Sequence, residues 1–211
     1  MQKPIDLSLY YLLNIPSERD PIQLAQAALA GGVTAIQLRA KQSEARELFE
    51  LATALKPITQ QAGALLFIND RVDVALAANA DGVHIGKDDL PLDVTRKMFP
   101  GLIGVSCYGS IELAQKAVAG SADYVAFGSF YASPTKPHAP RLSFSILEEA
   151  KSLQVPTVAI GGITEKHVAP LFQAGVDGIA VISAIQNQPD PQQAAQNLRD
   201  LIQENTPKSN P

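Results

Sequence analysis

The chain has 211 residues, 46% hydrophobic and 18% charged, with a formal net charge of −4. That length supports one well-buried domain, and that composition lies far from the apolar-poor range of disordered chains. The net negative charge, with no basic stripe, argues against nucleic acid as a partner, since polymer binding needs many Lys and Arg side chains acting together.

In chain order, the first apolar run is Leu9–Leu13. The segment before it has no small-residue cleavage site, so the run reads as a strand and not as part of a signal peptide. Seven further short apolar or β-branched runs follow: Val33–Leu38, Ala64–Ile68, Gly82–Ile85, Leu102–Val105, Tyr124–Phe127, Thr157–Ile160 and Gly178–Ile182. The stretches between them carry helical spacing. In Glu44–Leu55, for example, Leu48, Leu51, Ala52 and Leu55 fall on one face. Ser110–Ala119 opens with a capping serine and has Glu112 in its first turn.

Strand and helix in strict alternation specify a parallel sheet covered by helices. The near-continuous apolar strands fit burial on both faces and exclude a β-sandwich. Eight units use up the chain, so the expected architecture is α/β: a single (β/α)8 TIM barrel over residues 1–205, with 206–211 a frayed tail. An open doubly wound sheet would show a Gly-x-Gly-x-x-Gly turn after its first strand, where this chain has Asn14-Ile-Pro-Ser. The longest charge-free stretch, Pro21 to Leu38, holds three glutamines and Gly31-Gly32, so no membrane span is expected and a cytoplasmic location is. A lone cysteine, Cys107, excludes an intrachain disulfide and reads as a small packed residue. His84, His138 and His167 lack the spacing of a zinc site.

In such a barrel the chemistry lies over the C-terminal ends of the strands. The residues there are polar: Gln37, Arg39 and Lys41 after the second run, Asn69 and Asp70 after the third, Asp89 after the fourth and Ser106 after the fifth. Ser133, Thr135 and Lys136 lie in a proline-rich loop after the sixth run, Gly161-Gly162 follow the seventh, and Ile182-Ser183 close the eighth. Asp70 and Asp89 follow neighbouring strands, about 4.8 Å apart. Two carboxylates so placed suit Mg²⁺ shared with a substrate diphosphate. The competing reading is that each aspartate caps the helix after it. Gly161-Gly162 with the end of the eighth run match the phosphate cup of barrel proteins, although a plain tight turn would use the same glycines. The spacing therefore implies two anion sites and small phosphorylated partners.

The segments Gln37-Leu-Arg-Ala-Lys41, Ile68-Asn-Asp-Arg-Val-Asp-Val-Ala75, Ala80-Asp-Gly-Val-His-Ile-Gly86 with Asp89-Leu-Pro91, and Gly104-Val-Ser106 form one ordered set. Ala122–Gly128 with Ser133-Pro-Thr-Lys136, Ala159-Ile-Gly-Gly-Ile163 and Val181-Ile-Ser-Ala-Ile185 complete it. In this set the chain resembles the thiamine phosphate synthase family over nearly its full length. The resemblance implies a transferase that joins 4-amino-2-methyl-5-hydroxymethylpyrimidine diphosphate to a thiazole phosphate, releasing diphosphate. It implies that Gln37, Arg39, Lys41, Asn69, Ser106 and Lys136 hold the pyrimidine diphosphate, with Lys136, Lys41 and Arg39 as the catalytic cations. Asp70 and Asp89 would hold Mg²⁺, and Ser133, Thr135, Gly162, Ile182 and Ser183 the thiazole phosphate. The chain departs from the commoner pattern at Ala40, Lys87 and Ala132-Ser133, none of which removes a charge the chemistry needs. Isomerases of the thiazole tautomerase kind, non-catalytic binders and other phosphate-binding barrels remain alternatives. A homo-oligomer is left open.

Overall fold

The computed structural model describes residues 5–132 and 140–206. Eight strands close into one parallel barrel in sequence order. They are β1 (Leu9–Ile15), β2 (Ala35–Ala40), β3 (Leu65–Asn69), β4 (Gly82–Ile85), β5 (Leu102–Tyr108), β6 (Tyr124–Gly128), β7 (Thr157–Ile160) and β8 (Gly178–Val181). Each of the eight apolar runs overlaps one of them. The helices that cover the barrel are α1 (Pro21–Ala30), α2 (Ala45–Gln61), α3 (Val72–Ala77), α4 (Leu92–Met98), α5 (Ile111–Ala119), α6 (Ser145–Ala150), α7 (Val168–Ala174), α8 (Ser183–Gln186) and α9 (Pro191–Asn205).

The local signals explain most of the ends. Ser110 caps α5, its hydroxyl oxygen accepting from Leu113 N at 3.2 Å. Asp20 and Asp190 cap α1 and α9 by the same bond, each ahead of a proline in the first turn. The expected face of α2 is present: Leu48, Ala52 and Leu55 are buried and Leu51 packs on the core. The helix continues past Leu55, through Pro57, to Gln61. Its inward residue there is Thr59, whose hydroxyl bonds the helix's own carbonyl at Lys56, so a polar residue is buried where the apolar spacing ends.

Alternation along the strands separates two cores. Outward residues such as Tyr11, Leu13, Ile36 and Ile68 meet the helices, while Tyr10, Leu12, Ala35, Phe67, Tyr124, Ala126, Val158 and Ala180 fill the barrel. The interior is floored by three rings, Tyr10, Phe67 and Tyr124, with centroids 5.4 to 5.9 Å apart. Glycines on neighbouring strands make room for them. A Cβ on Gly82 would come within 2.1 Å of the Phe67 ring, and one on Gly104 within 2.0 Å of Tyr124.

The opposite end of the barrel is closed by a device used four times. The residue just before each even-numbered strand accepts the backbone N–H of the preceding odd strand. Thr34 Oγ1 accepts from Leu9 N at 3.2 Å, Asp81 from Leu66 N at 2.8 Å, Asp123 from Ile103 N at 2.7 Å and Asp177 from Thr157 N at 2.7 Å. Lys56 and Arg96 reach back from α2 and α4 to pair with Asp81 and Asp123. Asp81, Asp123 and Asp177 are thus committed to holding strand register.

Candidate active site

A cavity of about 610 Å³ opens over the C-terminal ends of the strands, well within the size range of small-molecule sites. Gln37, Arg39, Lys41, Asn69, Asp70, Asp89, Ser106, Gly162, Ile182 and Ser183 all line it. Ser133, Thr135 and Lys136 lie outside the described residues. The two ends of their loop are tied to the barrel. Leu142 N donates to Ser129 O at 2.9 Å, Tyr131 N donates to Gly161 O at 3.0 Å, and the Tyr131 ring stacks on His167 at 3.6 Å.

One wall is charged. Lys41 Nζ, at the end of β2, lies 3.2 Å from Asp70 Oδ2, just beyond β3. Asp70 has a φ of 65°, a left-handed turn that re-aims its side chain. Asp89 closes the next loop, accepting from Gly86 N at 2.7 Å. Burial pushes the Asp89 carboxyl above its ordinary pKa, and the adjacent Asp70 side chain pushes it further, against the opposing pull of the Gly86 amide and Lys41. Neither aspartate caps a helix: the cap positions ahead of α3 and α4 are Arg71 and Pro91, and neither helix has a side-chain cap. The two adjacent carboxylates offer the oxygen ligands that suit a hard cation, and the Lys41 ammonium now paired with Asp70 would have to give way to one. Among the described residues no group of three or more His, Cys, Asp or Glu is gathered, so such an ion would need oxygens from substrate or water.

Arg39 donates to the Asn14 side chain, its register partner across β1 and β2, so the guanidinium is held at the rim between two strands. Across the cavity, Gly161 and Gly162 have φ of 107° and 63°. A side chain at either would collide: a Cβ on Gly161 would lie 1.9 Å from Ser129 Oγ, and one on Gly162 2.2 Å from Ala132 O. The turn is glycine because loop six packs against it.

The sequence reading missed part of the floor. His84 is buried on β4 and bonds Tyr124 and Ser106, both at 2.8 Å. Tyr10, Tyr124 and Asn14 also take part in the polar lining or its support. Alternation along β4 was the available signal: 82, 84 and 86 share the inward face.

Fold and site together define a (β/α)8 barrel enzyme with one polar mouth of small-molecule size, in which Lys41 pairs with Asp70. Residues 9–185 match the family described as Thiamine monophosphate synthase. The chain is 45% identical to the thiamine-phosphate synthase of Roseiflexus castenholzii over 188 residues, covering 87% of this chain and 82% of that one. It is 40% identical to the Pyrococcus horikoshii enzyme of the same name over 196 residues, 92% and 94% of the two chains. The solved thiamine phosphate pyrophosphorylase of Pyrococcus furiosus superposes with a TM-score of 0.88 at 37% identity, over 95% of this chain and 97% of that one. A 3-hexulose-6-phosphate synthase shares the fold at TM-score 0.68 with 19% identity. The chain belongs to the thiamine monophosphate synthase family.

Proposed function

We propose that this chain condenses 4-amino-2-methyl-5-hydroxymethylpyrimidine diphosphate with 4-methyl-5-(2-phosphoethyl)thiazole, or its carboxylated form, giving thiamine phosphate and diphosphate. The observation that carries this reading is the gathering of Arg39, Lys41, Asp70 and Asp89 at one mouth of one cavity, in a chain whose relatives bear the name of that activity. An isomerase acting on the thiazole alone has no use for a diphosphate-binding wall.

In this reaction the bond between the pyrimidine's methylene carbon and the bridging oxygen breaks, its electron pair leaving with diphosphate. The aminopyrimidine ring spreads the positive charge left on the methylene. The thiazole nitrogen then donates its lone pair to that carbon, so no general base is required. Arg39 and Lys41 offset the charge growing on the departing oxygens, as does Lys136 in the same reading, and charge stabilisation of this kind is a large term in such transfers. Asp70 and Asp89 would hold Mg²⁺, which when bound supplies further positive charge to the diphosphate. Gln37, Asn69 and Ser106 hold the pyrimidine side. Gly162, Ile182 and Ser183, with Ser133 and Thr135, hold the thiazole phosphate.

The deciding assay incubates purified protein with both substrates and Mg²⁺ and reads thiamine phosphate and diphosphate. Formation of both in equal amounts is expected. Absence of product, under conditions where a relative's enzyme is active, overturns the reading; a thiazole double-bond shift without coupling replaces it with the isomerase.

Among the described residues no helix is long and apolar enough to cross a membrane. A biosynthetic role on soluble metabolites fits the cytoplasm.

A further inference from the structure

Beneath the charged rim runs a file of polar groups, buried except for the half-buried Ser106, that diphosphate departure does not use. Gln37 Nε2 donates to the Tyr10 hydroxyl at 2.8 Å. The Tyr10 and Tyr124 hydroxyls are 2.9 Å apart, Tyr124 is 2.8 Å from His84 Nδ1, and His84 Nε2 is 2.8 Å from Ser106 Oγ. Five residues from β2, β1, β6, β4 and β5 thus span the barrel in an unbroken line. Its two ends, Gln37 and Ser106, line the cavity, as do Tyr10 and His84 between them.

Proton counting gives the line a direction. Burial raises the pKa of both phenols, so each keeps its proton and has one to donate. The Gln37 amide nitrogen can only donate, so the Tyr10 oxygen accepts and its own proton goes to Tyr124. Tyr124 in turn directs its proton to His84 Nδ1. An imidazole that accepts at Nδ1 carries its proton on Nε2, and that N–H donates to Ser106 Oγ. The serine has then accepted within the line, and its own proton is left for the cavity.

We propose that Gln37, Tyr10, Tyr124, His84 and Ser106 form a one-way hydrogen-bond relay that fixes His84 as the Nε2–H tautomer and presents the Ser106 hydroxyl to the ligand as a donor. Tyr10, Tyr124 and His84 are positioning residues; they select a ligand whose ring carries a lone pair, and not an N–H, at the Ser106 wall. The inference rests on the aminopyrimidine diphosphate being the substrate that enters here. The same side chains with the Gln37 amide turned over would run the line backwards and make Ser106 an acceptor, so the two polarities are chemically distinct. Partial satisfaction of such a buried line is costly, which favours one polarity throughout.

The test begins with the ligand-free wild-type protein, whose His84 tautomer is read by long-range ¹H–¹⁵N correlation spectra. A protonated Nε2 beside an unprotonated Nδ1 is expected; the opposite tautomer overturns the relay. Tyr124→Phe keeps the ring that packs on Phe67 and removes the central link. In that variant the KM for the pyrimidine diphosphate should rise about tenfold, the cost of one lost hydrogen bond, with the KM for the thiazole phosphate unchanged. An unchanged pyrimidine KM in folded Tyr124→Phe also overturns it. If that variant does not fold, the wild-type spectrum decides alone. An inactive wild type would sink the transferase reading, and the tautomer would still test the relay.

Discussion

The Lys41 ammonium and the Asp70 carboxylate face each other at 3.2 Å across the gap between the ends of β2 and β3. Lys41 is more than half exposed, so the pair adds little to stability, and its meaning lies in what it holds ready. Asp70 occupies a left-handed backbone turn, a conformation that asparagine adopts at least as readily as aspartate. Asp70→Asn therefore removes the charge and keeps the turn. Turnover should fall by about 10²-fold or more, with the Mg²⁺ concentration for half-maximal rate displaced upwards and the melting temperature within a few degrees of wild type. Wild-type Mg²⁺ dependence in Asp70→Asn would overturn the proposal that Asp70 holds Mg²⁺. Lys136→Ala should slow turnover by a comparable factor without unfolding the barrel.

Gly104 and Tyr124 face each other inside the barrel, the absence of a side chain on the glycine leaving room for the ring against β5. Gly104→Ala sets a methyl carbon 2.0 Å from the ring. Tyr124 cannot move aside cheaply, since Phe67 and Tyr10 pack on it edge to face. Overpacking of this kind costs about 1–3 kcal/mol, to be read from the urea midpoint. Gly120→Ala, whose added carbon meets the end of the Leu92 side chain at 2.8 Å and the Lys116 carbonyl oxygen at 3.3 Å, is expected to cost less. The opposite order would refute this account of the floor.

Much of this was legible in the sequence because a parallel barrel writes its strands as unbroken apolar runs, and all eight were marked that way. The rim was legible too: residues just past each run, such as Lys41, Asp70 and Asp89, must lie over one end once the sheet closes. The floor was not. Tyr10 and Tyr124 are 114 residues apart and meet only through closure, and in the sequence each reads as one more apolar residue in a buried strand. His84 stands out in the sequence only as one of three histidines without zinc-site spacing, although its place between Gly82 and Gly86 aims it inwards. The reading of Asp70 and Asp89 as caps failed for a local reason. Arg71 and Pro91 intervene before α3 and α4, and the carboxylates turn to Lys41 and the Gly86 amide instead.

Cys107 lies on the outward face of β5, fully buried in the layer between barrel and helices. Burial pushes its thiol up to about 12, and only the thiolate reacts with alkylating agents. Native protein at pH 8 should resist iodoacetamide for hours, while the urea-unfolded chain labels within minutes. Rapid labelling of the folded protein would show that this layer opens. Cys107→Ala should leave turnover unchanged, since the side chain faces away from the cavity.

Tyr131 and His167 join loop six to the turn after β7, their rings stacked at 3.6 Å and 11° from parallel. His167 also accepts the Thr164 N–H at Nδ1, 3.1 Å away, in a capping box at the short 3₁₀ turn Glu165–His167. Burial lowers the His167 pKa below the usual histidine value, and the neighbouring Lys166 charge lowers it further, against the Gly162 backbone. The sign follows directly: the unfolded chain binds this proton more readily than the folded one, so the contribution is complete above the ordinary histidine pKa. It is lost as pH falls through the folded value. Protonation would also fill the Nδ1 lone pair that accepts from Thr164. The melting temperature should therefore drop between pH 7 and pH 5 by more in the wild type than in His167→Gln, whose amide oxygen can accept the same N–H and does not titrate. Equal slopes in the two proteins would mean that His167 neutrality does not hold this turn.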